Sequence, residues 1–177
     1  MENEVRMNIV KTKRLTLRSF RAEDENDVLA LLQDDEIKLT YMLPDFPTRE
    51  AAVKLFRRIM DLSYDEARFE RAICLEDCVI GFINDVEIEG GAIEVGYVIH
   101  PSQKNRGYAT EALTAAIAEL FRLGYETVRA GFFEENPASG RVMEKCGMKR
   151  IEKTDEIEYR GKVHRCVYYE IGKNMDQ

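Results

Sequence analysis

The segment from residue 92 to 118 constrains this chain most: an apolar run ends at Pro101, a short basic stretch follows, and a helical pattern begins. The stretch reads Ser102-Gln103-Lys104-Asn105-Arg106-Gly107-Tyr108-Ala109-Thr110 and continues through Glu111, Ala112 and Leu113. A strand that feeds straight into a helix N-terminus aims unpaired backbone N–H groups, and the positive end of the helix dipole, at one small volume. Such a volume attracts an anion. Lys104 and Arg106 set two cations beside it, Gly107 lets a ligand approach without a Cβ in the way, and Ala109 keeps the first turn slim. A pyrophosphate meets those conditions. A Walker loop would need a Gly-Lys-Ser/Thr ending and a dinucleotide fingerprint three spaced glycines; the loop has one glycine and neither pattern.

The remaining periodicities surround this segment with a mixed α/β architecture. Leu15 and Leu17 alternate with Thr16 and Arg18 as in a half-buried strand. Asp24 or a neighbour caps a helix with Val28, Leu29, Leu31 and Leu32 on its apolar side, and Thr48 caps another with Ala52, Val53, Phe56, Ile59 and Met60. Between them, residues 41–46 form a Pro-broken loop of bulky side chains, equally suited to touching a ligand and to lidding the core edge. Strands follow over residues 69–75, 79–88 and 93–99, with turns at Glu76-Asp77 and Gly90-Gly91. A helix from Gly107 to a C′ glycine at Gly124 leads by a right-handed crossover to a strand over residues 127–133. A short helix over residues 137–145 and a hairpin around Arg160-Gly161 complete the chain. The expectation is one α+β domain over residues 1–177, a mixed twisted sheet of about seven strands with helices on both faces.

At 177 residues the chain is long enough for a full core, and its net charge of −7 argues against nucleic acid as the main partner. An acidic surface suits a cationic partner, although many soluble proteins are equally acidic. Met1-Glu2-Asn3-Glu4 lacks the apolar run of a signal peptide, and no stretch reaches the ~18 apolar residues of a membrane span, so a cytosolic protein is expected. Cys74, Cys78, Cys146 and Cys166 have no zinc-like spacing and read as buried reduced thiols, leaving no metal site.

Lys104 to Ala109 resembles the Gln/Arg-x-x-Gly-x-Gly/Ala loop of the GNAT superfamily, the acyl-CoA-dependent N-acetyltransferases. The preceding strand from Ile93 to Ile99, and downstream Asn136-Pro137-Ala138-Ser139 and Glu144-Lys145-Cys146-Gly147-Met148, are similar to the family's next landmarks. Thr12-Lys13-Arg14-Leu15-Thr16-Leu17-Arg18 is similar to the first strand of the RimJ/RimL-like branch. The resemblance implies acetyl-CoA as co-substrate and a primary amine, on a protein N-terminus or a small molecule, as acceptor. It leaves open a homodimer, and also a domain that binds acyl-CoA as a sensor without turnover.

It also implies a division of labour. Backbone groups of Val98 and Ile99 would pair with the pantetheine arm like an added strand, and the Asn136 side chain would bond it from the neighbouring strand. The amides of Lys104, Asn105, Arg106, Gly107, Tyr108, Ala109 and Thr110 would hold the pyrophosphate. Asn105, where the branch often has glycine, tolerates unusual backbone angles better than most residues. An alkylammonium has a reference pKa of ~10.4, so a base or a water relay must take its proton. Glu94, the carboxylate within the strand before the loop and on the face of Gly96 and Val98, is the candidate; an edge Glu in solvent would look the same, and Glu87 and Glu89 are weaker alternatives beside a turn. The family's usual tyrosine acid is replaced by Met143. Ser139, assigned the role in the RimJ/RimL-like branch, takes its place unless it simply caps the helix, with Tyr97, Tyr168 or Tyr169 as substitutes. Acceptor contacts would come from residues 41–46, the first two helices and the terminal hairpin, where His164 reads equally as an exposed turn residue.

Overall fold

In the computed structural model, which describes residues 9–174, a single eight-stranded sheet carries the chain. The elements are β1 (Val10–Lys11), β2 (Leu15–Arg18), α1 (Glu25–Leu32), α2 (Asp35–Thr40), α3 (Arg49–Leu62), β3 (Glu70–Leu75), β4 (Cys78–Glu89) and β5 (Ala92–Ile99). They continue with α4 (Tyr108–Arg122), β6 (Thr127–Phe133), α5 (Pro137–Lys145), β7 (Lys149–Tyr159) and β8 (Lys162–Gly172). Strand order is β1-β2-β3-β4-β5-β6-β8-β7, antiparallel throughout except for β5 beside β6. Two-residue β1 is the strand beyond the seven expected, too short to leave a periodic signature.

Alternation along the strands builds two cores. Leu15, Leu17, Ile73, Ile83, Ile93, Val95, Val128 and Ala130 face α4 and α5, meeting Ala112, Leu113, Ala116, Leu120 and Met143. Ala72, Cys74, Phe82 and Val98 face α1 to α3, meeting Val28, Leu29, Leu31, Leu32, Ala52 and Phe56. Helices therefore cover both faces. Each fully buried aliphatic side chain contributes roughly 1.5–3 kcal/mol of transfer free energy, so α4, with Ala112, Leu113 and Leu120 almost inaccessible, is anchored firmly to β5 and β6.

Several local expectations need correction. Arg18 is buried rather than solvent-facing, because its guanidinium meets Asp24 bidentately at 2.8 and 2.9 Å. That pairing, with Arg21 N–H also donating to Asp24, diverts the Asp24 side chain from capping α1. Helix α2 gave no sequence signal, being six residues long with Ile37 alone buried; Asp34 caps it by accepting from Ile37 N–H at 2.9 Å. His164 is buried in β8, stacked on Phe133 with centroids 4.3 Å apart and bonded to Glu135, since strand alternation turns it inward. Cys74 and Cys166 are buried, Cys146 is half-buried, and Cys78 is exposed beside the β3–β4 turn.

Candidate active site

The parallel pair comes apart. Strands β5 and β6 are in register from Ala92↔Thr127 to Val95↔Ala130 and no further, yet β5 stays paired with β4 to Ile99 and β6 with β8 to Phe133. Each strand follows its other neighbour, and a crevice of about 600 Å³ opens between them. That volume lies within the ~300–1,000 Å³ usual for small-molecule sites. Main-chain direction alternates along a strand. His100 N–H donates to Ile80 O of β4, so Val98 and Gly96 also face β4. The main-chain groups turned toward the gap are therefore those of Tyr97 and Ile99, while Val98 lines the crevice only with its side chain, buried in the α1–α3 core.

At the open end sits the basic loop. Asn105 (φ 60°) and Gly107 (φ 80°) both take left-handed backbone, which folds the loop into the start of α4. The first helical bond runs from Glu111 N–H to Gly107 O at 3.0 Å, so the N–H groups of Tyr108, Ala109 and Thr110 precede the helix's own ladder. Lys104, Asn105, Gly107, Tyr108, Ala109 and Thr110 line the crevice. Lys104 pairs with Glu36 of α2. The exposed Arg106 is not among the lining residues; its carbonyl accepts from Arg14 Nη1 at 2.8 Å.

Arg14 escaped the sequence reading as a site residue. Its Nε donates to Glu111 at 2.7 Å and its guanidinium lies 4.5 Å from the centre of the buried Tyr108 ring, so one residue of β2's approach braces loop and helix together. Burial alone would raise the Glu111 carboxyl, but bonds from Thr12 and from Arg14 side chain and backbone hold it below the usual carboxylate range. Also unforeseen were Arg141 and Lys145 of α5, which line the same crevice. Gln103 lines it too, and its Oε1 is the one buried side-chain oxygen or nitrogen among the described residues without a hydrogen-bond partner. An orphaned acceptor costs roughly 1–3 kcal/mol unless something donates to it.

At the apex, where pairing stops, stands Glu94, half-buried and directly opposite Arg129. Burial raises its carboxyl above the ordinary range; Lys153 and Arg129 oppose the rise, and Glu87 and Asp155 add to it. A bulge in β4 between Asp85 and Glu87 leaves Val86 as an extra residue beside it, lining the crevice. Glu87 and Glu89 are exposed and not among the lining residues. Gly96 and Gly131 keep the two walls slim. A Cβ on Gly96 would come 3.1 Å from the Tyr41 ring, and one on Gly131 would lie 2.7 Å from the Tyr168 ring. Tyr41 donates to Asn84 Oδ1 at 2.6 Å and Tyr168 to Asp155 Oδ2 at 2.7 Å, so both present their rings to the gap.

Past the end of β6, α5 is entered through Asn136, whose Nδ2 donates to Ser139 Oγ at 3.0 Å. The Tyr97 hydroxyl donates to the Ser139 carbonyl at 3.2 Å, and burial pushes that phenol well above its ordinary pKa. Asn136, Ser139 and Tyr97 all line the crevice; Tyr169 does not, its hydroxyl donating to Glu144 at 3.0 Å. Met143 is fully buried beneath. The fold thus gathers into one cleft Glu94, Val98, Ile99, Asn136, Ser139 and every loop residue singled out from the sequence except Arg106. Cations collect at its open end and one carboxylate at its apex, an arrangement able to hold an anionic, amide-bearing ligand and remove a proton beside it. Among the described residues no cluster of three or more His, Cys, Asp or Glu forms a metal site, and no helix is long and apolar enough to cross a membrane.

Residues 14–149 match the sequence model of the acetyltransferase (GNAT) domain. An uncharacterized N-acetyltransferase of Bacillus subtilis, YnaD, is 31% identical over 143 residues, 80% of this chain and 82% of that protein. A GNAT-family acetyltransferase structure from Bacillus anthracis superposes with a TM-score of 0.80 at 26% identity, over 93% of this chain and 98% of that one. The ribosomal L7/L12 alpha-N-protein acetyltransferase RimL shares the fold with a TM-score of 0.82 over 94% of each chain, at 18% identity.

Proposed function

The chain belongs to the GNAT acetyltransferase family, and on that premise we propose that it moves an acetyl group from acetyl-CoA directly onto a primary amine. The observation that carries the reading is the parting of β5 from β6 beyond Val95 and Ala130. A pantetheine arm, with its alternating amide N–H and C=O groups, complements the main chain that Tyr97 and Ile99 turn into the gap, in the manner of an added strand. The Gln103 oxygen offers an acceptor to one of the co-substrate's donors. The diphosphate would lie at the head of α4, against the amides of 107–110 and near Lys104, Arg141 and Lys145. The Arg106 side chain would act from outside the crevice through its charge.

In the transfer the amine nitrogen attacks the thioester carbon, the C–S bond breaks, and the proton lost by the amine passes to Glu94, directly or through a water. The departing thiolate needs a proton; Ser139 would pass it one while regaining a proton from water, with the Tyr97 phenol as the alternative donor. A raised Glu94 carboxyl is a better proton acceptor than an ordinary one. The acceptor is either a protein N-terminus or a small amine, and the protein acts in the cytosol, a reducing compartment suited to four free thiols. Met143 in place of the usual tyrosine acid supports a second reading, an acyl-CoA sensor without turnover.

Purified protein titrated with acetyl-CoA and then followed for thiol release over a panel of amines tests both. Release with at least one amine supports the transferase; saturable binding with no release supports the sensor; absence of binding overturns both.

A further inference from the structure

On the Proposed function reading, we infer that the acceptor is a primary amine carried on a single apolar or aromatic group, with no second positive charge. The crevice that Glu94 lines is also walled by Ile37, Tyr41, Met42, Val86, Ile157 and Tyr168. Met42 and Val86 are 52% and 57% exposed, large apolar side chains at the mouth with nothing described over them. The two phenols are already engaged with Asn84 and Asp155 and offer ring surface instead of hydroxyls. Glu94 is the one carboxylate among the lining residues. It can receive one ammonium.

A second ammonium finds no such partner. Lys153 stands 4.9 Å from the centre of the Tyr168 ring and acts on Glu94 as a positive charge, as does Arg129. Of the remaining carboxylates acting on Glu94, Asp155 is shared between Tyr168 and Lys153, at 2.7 and 3.7 Å, and Glu87 is exposed in solvent. A polyamine would therefore set its distal charge against apolar walls and a lysine, whereas a phenyl or alkyl group is favoured by roughly fourfold for each methylene-sized unit buried.

The test compares kcat/KM, with acetyl-CoA saturating, for 2-phenylethylamine, a short peptide with an unblocked N-terminal Met, ethanolamine and spermidine. The inference expects 2-phenylethylamine or the peptide to exceed both ethanolamine and spermidine by at least about tenfold, and the better of the two identifies a small-molecule or a peptide source. Spermidine or ethanolamine equal to or better than both overturns it. Val86→Lys should lower kcat/KM for the preferred amine by about tenfold or more while leaving the acetyl-CoA dissociation constant unchanged. If no amine releases thiol, calorimetric titration of 2-phenylethylamine into the protein–CoA complex decides: saturable binding that Val86→Lys abolishes upholds the apolar chamber although transfer has failed, and absence of binding overturns the chamber itself.

Discussion

Glu70→Gln should stabilise the protein, and by an amount that grows with pH. Glu70 is 7% exposed on β3, paired in register with Asn84, which is paired with Gly96 at the crevice. Burial, and then the neighbouring Asp85, push its carboxyl from 4.5 up to about 8, against the opposing pull of Arg68 and Arg71. The folded state therefore holds a proton that the unfolded chain releases near its ordinary pKa. Between those two values the folded state binds more protons, so stability falls as pH rises through the interval and levels off above about 8. At about 1.36 kcal/mol per pH unit, the charged carboxylate costs the fold roughly 3 kcal/mol at pH 7 and up to roughly 5 above pH 8.5. Gln keeps the shape and polarity and removes the titration. Urea unfolding at pH 5, 7 and 8.5 should show variant and wild type within about 1 kcal/mol at the lowest pH and separated by several at the highest. An equal difference at all three values would refute the reasoning, because a packing or hydrogen-bond change does not track protonation.

Glu94→Gln should lower turnover by about 100-fold or more and abolish an acid limb that lies above the ordinary carboxylate range in wild type, measured as kcat/KM against pH. Lys104→Ala, which removes a crevice-lining cation, should weaken acetyl-CoA binding more than Arg106→Ala, whose side chain is outside the lining; both effects should shrink with added salt in calorimetric titrations. Gly131→Ala brings a methyl within 2.7 Å of the Tyr168 ring and 3.1 Å of Cys166 Sγ, so it should displace that wall and raise the KM for the amine. Arg160 holds Asp45 by two bonds at 2.7 and 3.1 Å and Leu43 O at 2.9 Å, while the Tyr159 hydroxyl donates to Lys38 O at 2.7 Å. Arg160→Ala should thus release the loop that carries Tyr41 and Met42, raising the amine KM with little change in acetyl-CoA affinity, and Arg160→Lys should rescue it in part.

The strand-loop-helix unit was legible because it rests on local chemistry: a glycine needing left-handed backbone, an asparagine tolerating it, and a helix whose apolar spacing continues for fifteen residues. Cores on both faces followed from the same periodicities. What escaped was non-local. Arg14 reads as an ordinary strand-end cation until Glu111, 97 residues on, arrives beside it. The Val86 bulge has no composition of its own; it is a shift of the β4–β5 register just past Asn84, where the pairing of β4 with β3 ends. The burial of His164 and Arg18 is not legible in the pattern, because alternation tells which residues share a face but not whether polar partners wait on that face. Which main-chain groups enter the gap likewise depends on hydrogen-bond phase, visible only once His100 is seen to donate to Ile80.

Amide hydrogen exchange with and without acetyl-CoA tests the central claim most directly, because the proposed contacts are main-chain groups. New protection confined to Tyr97, Ile99 and residues 107–110 is predicted, with β1, β7 and α3 unchanged. Protection absent from those amides, or appearing only on another face of the sheet, would contradict the assignment of the β5–β6 crevice as the acetyl-CoA site.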